Sequence, residues 1–127
     1  MMLSIMKFLT SELHKLTPRV YNEYASDDAI FPYVVFNVRA SNITERNRED
    51  IVVEIDIWDY KKDGYDAIVN VELLTNEIDK FLRQVRYNGE DSLLIFQKIN
   101  RLPIPDSDEN VKRRQLRYVV KTYDKNQ

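Results

Sequence analysis

The sequence predicts an α+β domain in which two helices pack on one face of a mostly antiparallel sheet, as a two-layer sandwich with the order α-β-β-α-β-β. Two segments repeat apolar residues every three or four positions, as amphipathic helices do. Four other segments alternate apolar and polar residues, as half-buried strands do. The strands come in consecutive pairs, which favours hairpins and therefore antiparallel pairing.

Length and composition indicate a single domain over residues 1–127 and exclude several classes of site. Hydrophobic residues make up 43% of the 127 residues and charged residues 31%, which is typical of a globular chain. With no cysteine, disulfides, thiolate metal sites and cysteine nucleophiles are excluded. The single histidine excludes sites that need two imidazoles, and two glycines leave no glycine-rich phosphate loop. A net charge of −2 argues against a dedicated nucleic-acid binder.

The first helix is predicted over residues 2–16. Its apolar positions step by four and three residues: Met2, Met6, Leu9, Leu13 and Leu16. Thr17-Pro18 ends the helix, because the residue before a proline avoids helical dihedrals. Polar residues such as Lys7 and Ser11 interrupt the apolar run, so a signal peptide is not expected and the chain is placed in a cytoplasm. Residues 19–24 are read as a short extended piece.

Two strands are predicted next, over residues 33–40 and 51–60. The core face of the first is Val34, Phe36, Val38 and Ala40. The core face of the second is Ile51, Val53, Ile55 and Ile57. The polar stretch SNITERNRED between them predicts a flexible arm over residues 41–50.

The second half of the chain repeats this pattern of helix, strand and strand. A helix over residues 65–85 carries the apolar stripe Ala67, Val71, Leu74, Ile78, Phe81 and Val85. A third strand is predicted over 92–102, and two prolines place residues 103–110 in a loop. The fourth strand, 111–123, has Leu116, Tyr118 and Val120 on one face and Arg113, Gln115, Arg117 and Lys121 on the other.

Acidic residues give no convincing catalytic or metal site. Glu54 and Asp56 share the polar face of one strand, where acids usually serve solubility, although in an oligomer they could face a neighbour's arginine. Asp106, Asp108 and Asn110 imitate the start of a calcium loop, but the closing carboxylate position holds an arginine. His14 lacks the partners that a general base needs. We therefore favour structural roles for these residues and expect no metal or cofactor site.

Basic residues suggest contacts with other macromolecules. Strand alternation aligns Arg113, Arg117 and Lys121 in one stripe with Tyr123 beyond, and Arg46 and Arg48 lie in the polar arm. Such a stripe could contact phosphates and bases, or form salt bridges between subunits. Because acids nearly balance the charge, we favour protein contacts. The interface residues predicted from this stripe and arm are Arg46, Arg48, Arg113, Arg117 and Lys121.

The order of elements and several short patterns resemble the tail terminator proteins of long-tailed bacteriophages, also called tail completion or head-to-tail joining proteins. The likeness covers nearly the whole chain. It rests on Arg19-Val20-Tyr21, Pro32-Tyr33-Val34-Val35-Phe36, the polar arm, Val53-Glu54-Ile55-Asp56-Ile57-Trp58-Asp59, the long helix and a terminal hairpin ending in 117–123.

The resemblance implies a structural virion protein without catalytic activity. It also implies that the arm 41–50 and the loop 103–110, which carries Asp106 and Asp108, contact the tube or a neighbouring copy. Members of this family form a ring, typically hexameric, which caps the finished tail tube and presents a surface to the head connector. The implied partners are the tail tube protein, a head-completion (stopper or connector) protein and further copies of the chain, without membrane or specific nucleic acid. The implied location is the tail–head interface of the virion, reached through the host cytoplasm. The alternatives are another neck or tail-tube component, or a small α+β module that binds RNA or nucleotides.

Overall fold

The structure, a computed structural model, describes residues 2–45, 48–90 and 92–125. It contains two helices and six strands. Their bounds are α1 (Met2–Leu16), β1 (Val20–Asn22), β2 (Tyr33–Glu45), β3 (Arg48–Tyr60), α2 (Gly64–Gln84), β4 (Arg86–Asn88), β5 (Ser92–Ile104) and β6 (Val111–Asp124). The limits of α1 confirm the helix predicted over 2–16.

The six strands form one sheet in the order β1-β2-β3-β6-β5-β4. All neighbours are antiparallel except β1 and β2, which run parallel. The chain is therefore a mixed α+β protein, but the predicted order of elements and the two-layer sandwich are wrong. The sheet curls into a half-barrel and has two more strands than predicted. β1 lies within the short extended piece predicted over 19–24, but its pairing with the sheet was not predicted, and β4 was missing from the prediction.

The curl has a physical cause in the position of α1. This helix contacts β1 at one edge of the sheet, and its Phe8 ring stacks on Tyr87 of β4 at the other edge, with 4.8 Å between ring centroids. In a flat sheet, five strand spacings would hold these edges about 24 Å apart. Curling of the sheet brings both edges toward one helix, so that more apolar surface is buried than a flat layer would allow.

The core fills the concave side of the sheet, where both helices lie. Ile51, Val53, Ile55 and Ile57 of β3 are fully buried there, which confirms the predicted core face of that strand. Other members of the core are Ile5, Phe8, Leu9, Leu13, Val34, Phe36, Val71, Ile78, Leu82, Leu94, Phe96, Leu116, Tyr118 and Val120. No helix in the described ranges is long and apolar enough to cross a membrane.

A buried polar group joins α2 to the sheet. Asp79 is 3% exposed and accepts hydrogen bonds from the Tyr118 hydroxyl at 2.6 Å and from Lys98 Nζ at 3.0 Å. Arg83 Nε lies 3.2 Å from the same carboxylate. Burial by itself raises the pKa of Asp79, but these donors and charges outweigh burial and hold the pKa below its ordinary value. Two turns earlier on α2, Glu72 forms ion pairs with Arg101 of β5 and Arg114 of β6.

The strand ends differ from their predicted limits. β2 continues to Glu45 and β3 begins at Arg48, so residues 41–45 and 48–50 of the predicted loop belong to paired strands, with Ser41 opposite Ile51. β5 likewise continues through Pro103. β4 covers only Leu93 to Ile95 of β5, so at Pro103 the outer side of β5 pairs with no strand in the described part of the chain, and prolines are tolerated in such edge positions.

Candidate functional site

The polar faces of β3 and β6 lie side by side on the convex side of the sheet, away from the helices. In the register of this pair, Glu54 is opposite Arg117, and Trp58 is opposite Arg113. The acidic pair and the basic stripe noted in the sequence therefore meet within one chain. The stripe is largely neutralised internally, which the spacing along each strand could not reveal.

Asp56 is the most deeply buried charge on this face, at 4% exposure. Its Oδ1 accepts from Arg113 Nε at 2.9 Å and from Gln115 Nε2 at 3.2 Å, and Arg113 Nη2 forms an ion pair with the same oxygen at 2.8 Å. Burial raises the pKa of Asp56, and the hydrogen bond and charge of Arg113 offset that rise only in part. Arg113 Cζ also lies 4.5 Å from the centroid of the Trp58 ring. Arg113 thus holds a buried carboxylate and an aromatic ring together.

Glu54 is the second acid of this face, and two arginines approach it. Arg39 Nε of β2 donates to Glu54 Oε1 at 2.5 Å. Arg117 Nε lies 3.3 Å from Glu54 Oε2, a distance that permits an ion pair, although the alignment does not make a hydrogen bond. Arg39 lies on β2 and Arg117 lies on β6, and these strands pair with β3 on its two sides. The pairing of the three strands therefore assembles this cluster.

A segment of backbone covers part of the convex face. Because β1 and β2 are parallel neighbours, residues 23–32 must cross from the end of one strand to the start of the other. The crossing is held at both ends. The Arg19 guanidinium donates to the Pro32 carbonyl at 3.0 Å, and the Glu23 N–H donates to the Phe36 carbonyl at 2.9 Å. Glu23 adopts a φ of 74°, the left-handed region that is uncommon for residues other than glycine.

A pocket of about 470 Å³ lies between this crossing and the sheet. Its floor carries Tyr33 and Trp58, whose rings stack with 5.8 Å between centroids and 22° between planes. The Trp58 indole N–H is buried and has no hydrogen-bond acceptor in the described part of the chain. The complete lining is Glu23, Tyr24, Ala25, Ser26, Asp27, Tyr33, Val35, Asn37, Arg39, Asp56, Trp58 and Arg113.

The remaining predicted basic residues lie at the far end of β3 and β6. Arg48 donates to both carboxylate oxygens of Asp50, at 3.0 and 3.1 Å, and its guanidinium lies 5.9 Å from the Tyr123 ring centroid. Lys121 is opposite Asp50 in the strand register. Arg46 lies outside the described residues. The structure thus places Arg48 and Lys121 apart from Arg113, with Arg117 between them on β6.

Asp106 and Asp108 have a local structural role. Asp106 Oδ1 accepts from the Asp108 N–H, and Asp108 Oδ1 accepts from the Asn110 N–H, both at 2.9 Å. These bonds shape the turns of the loop between β5 and β6. Across the described ranges, no group of three or more histidine or acidic side chains is arranged to hold a metal ion.

The sequence analysis did not identify residues 23–27, which cover the pocket. Tyr24 and Asp27 lie in a polar stretch without periodicity, so nothing local places them over the sheet. Arg39 could have been anticipated on the polar face of β2, but its partner depends on the pairing of two strands. No family model matches this chain, and a search of curated proteins finds no match.

Proposed function

We propose that the chain is a structural protein of phage assembly, which caps the tail tube as a ring, stops its polymerisation and joins the tail to the head. The proposal rests on the resemblance of the sequence patterns to tail terminator proteins. The structural observation that supports it is that much of each edge of the sheet pairs with no other strand in the described part of the chain.

Each edge of the sheet is covered over only a few residues. β1 pairs with Val34 to Phe36 of β2, and β4 pairs with Leu93 to Ile95 of β5. In the described part of the chain, no other strand pairs with the outer sides of 37–45 and 96–104. Unpaired strand edges of this length are natural places for contacts with other chains.

The two open edges differ in sequence and belong to opposite ends of the strand order, which suits a ring. A ring is generated when one surface of each copy binds a different surface of the next and the rotation closes. A terminator of a polymerising tube also needs to bind the tube end with one face without repeating that face on the other side. Two unlike edges are compatible with the first of these requirements.

A nucleic-acid-binding module is the second candidate, because Tyr33 and Trp58 lie beside arginines on the convex face. Stacked aromatics next to basic residues can bind single-stranded nucleic acid. Glu54 and Asp56, however, pair with those arginines and would repel phosphates. The charge distribution therefore favours a protein partner.

Deletion of the gene in the phage or prophage that encodes the chain tests the proposal. Electron microscopy of lysates should show tails of abnormal length without heads, and expression of the intact chain from a plasmid should restore normal virions. Normal virions from the deletion strain would reject the proposal. A matched negative control is a deletion of a gene for a tail-fibre component, which should leave tail length unchanged.

Binding measurements separate the two candidates in solution. We expect the free chain to be monomeric or weakly associating, and to form rings when isolated tail tubes are added, as seen by sedimentation and negative-stain microscopy. Salt-sensitive binding of a single-stranded oligonucleotide, without binding to tube ends, would support the nucleic-acid module instead.

A further inference from the structure

We infer that the pocket under residues 23–27 binds a basic side chain, arginine or lysine, presented by a segment of a protein partner. The inference does not depend on the proposed function. It rests on the charges of the pocket, on its aromatic lining and on the contacts that hold residues 23–27 in place.

The charges of the pocket favour a cation. Arg113 and Arg39 line it, but each is paired with a carboxylate, Asp56 and Glu54 respectively. Residues 23–27, which cover the pocket, add the carboxylates of Glu23 and Asp27. Both residues are exposed, and neither side chain forms an ion pair with any described residue.

With the outer arginine Arg117 counted, three arginines therefore face four carboxylates at this site. The two carboxylates without an ion-pair partner, those of Glu23 and Asp27, are exposed to solvent. An anionic ligand would meet them first, whereas an ammonium or guanidinium group would complete the balance.

The aromatic lining suits the same ligand. Tyr24 is 76% exposed at the opening, and Tyr33 lies on the floor beside Trp58. A cation over the face of an aromatic ring is attracted by the ring quadrupole, most strongly where carboxylates also lie near. The long aliphatic stem of lysine or arginine would pack against Val35, which is 7% exposed.

Specific contacts hold the segment that covers the pocket in place. The Glu23 N–H donates to the Phe36 carbonyl and the Arg19 guanidinium donates to the Pro32 carbonyl, and these bonds fix both ends of the crossing. Glu23 has a left-handed φ of 74° where the chain turns over the sheet. Pre-organised side chains lose less conformational entropy when a ligand binds. The adjacent open edge of β2 begins after Phe36, so an extended partner segment could pair there while one side chain enters the pocket.

The single tryptophan gives a direct assay. In a ¹⁵N NMR titration, N-acetyl-arginine-N-methylamide or its lysine counterpart should shift the Trp58 indole N–H and the amides of residues 23–27. We expect saturation with a dissociation constant on the order of 1–10 mM, as befits one side chain. N-acetyl-glutamate-N-methylamide and adenosine monophosphate should leave these resonances in place.

Asp27→Asn and Asp28→Asn form a matched pair, because both residues are exposed and only Asp27 lines the pocket. Asp27→Asn should weaken binding of the arginine amide about threefold, as should Tyr24→Ala, whereas Asp28→Asn should leave it unchanged. The inference is overturned if the cationic amides cause no shifts up to about 50 mM, if the glutamate amide or the nucleotide binds as well, or if Asp28→Asn weakens binding as much as Asp27→Asn.

Discussion

Replacing Tyr118 by phenylalanine removes one hydroxyl from the centre of the core. The Tyr118 side chain is fully buried, and its hydroxyl donates to Asp79 Oδ1 at 2.6 Å. The ring itself stays, together with its edge contact to Phe96. A hydrogen bond to a charged group contributes about 1.5–3 kcal/mol, so we expect the free energy of unfolding to fall by about 2 kcal/mol.

Urea unfolding followed by tryptophan fluorescence and circular dichroism measures this change. The matched control is Tyr65→Phe, since Tyr65 is 70% exposed and its hydroxyl faces solvent. The control should stay within about 0.5 kcal/mol of the parent. A loss below about 0.5 kcal/mol for Tyr118→Phe would contradict the assignment of this bond as a stabilising contact of the core.

The same variant has a pH signature. Burial, followed by the hydrogen bond and charge of Asp79, raises the pKa of Tyr118 above its ordinary value of 10.0. The unfolded chain ionises this tyrosine first, so its contribution to stability is present below pH 10 and is lost as the pH rises above that value. Tyr118→Phe should therefore show a shallower alkaline decline of stability than the parent. An equally steep decline would indicate that other groups cause it.

Three further substitutions test other contacts by the same unfolding assay. Asp56→Asn should cost about 2 kcal/mol at pH 7, because it removes the charged acceptor of the Arg113 and Gln115 hydrogen bonds and leaves the Arg113 guanidinium without its ion-pair partner; unchanged stability would contradict a stabilising role for this pair. Gly89→Ala should cost about 1 kcal/mol, since its Cβ would lie 2.7 Å from the Tyr87 ring, and unchanged stability would mean that this ring moves freely. Asp63→Ala should cost about 1 kcal/mol, because Asp63 caps the N-terminus of α2, whereas Asp63→Asn should retain most of the stability.

Local patterns predicted the helices and the buried faces of the strands well. The apolar stripe and the Thr17-Pro18 stop gave the limits of α1, and the alternation from Ile51 to Ile57 gave a core face that is fully buried. These features depend on the period of each element and on residues that begin or end it. The period and the terminating residues can both be recognised within a short stretch of consecutive residues.

The same patterns failed where the fold depends on distant residues. β1 and β4 span three residues each, too few to show a period, and they form because longer strands offer them an edge. The polar sequence over 41–50 hid the continuation of β2 and β3, whose pairing supplies backbone hydrogen bonds that a loop would leave to water.

The candidate site shows this division most clearly. Strand alternation alone predicts that acids and arginines occupy the polar faces of two strands, because it fixes which side chains share a face. The contact of Asp56 with Arg113, and the pocket formed where residues 23–27 cover Trp58, become visible only in the folded chain. The physical reason is that strand order, register and the path of a crossing are set by the packing of the whole core, which no short stretch of sequence encodes.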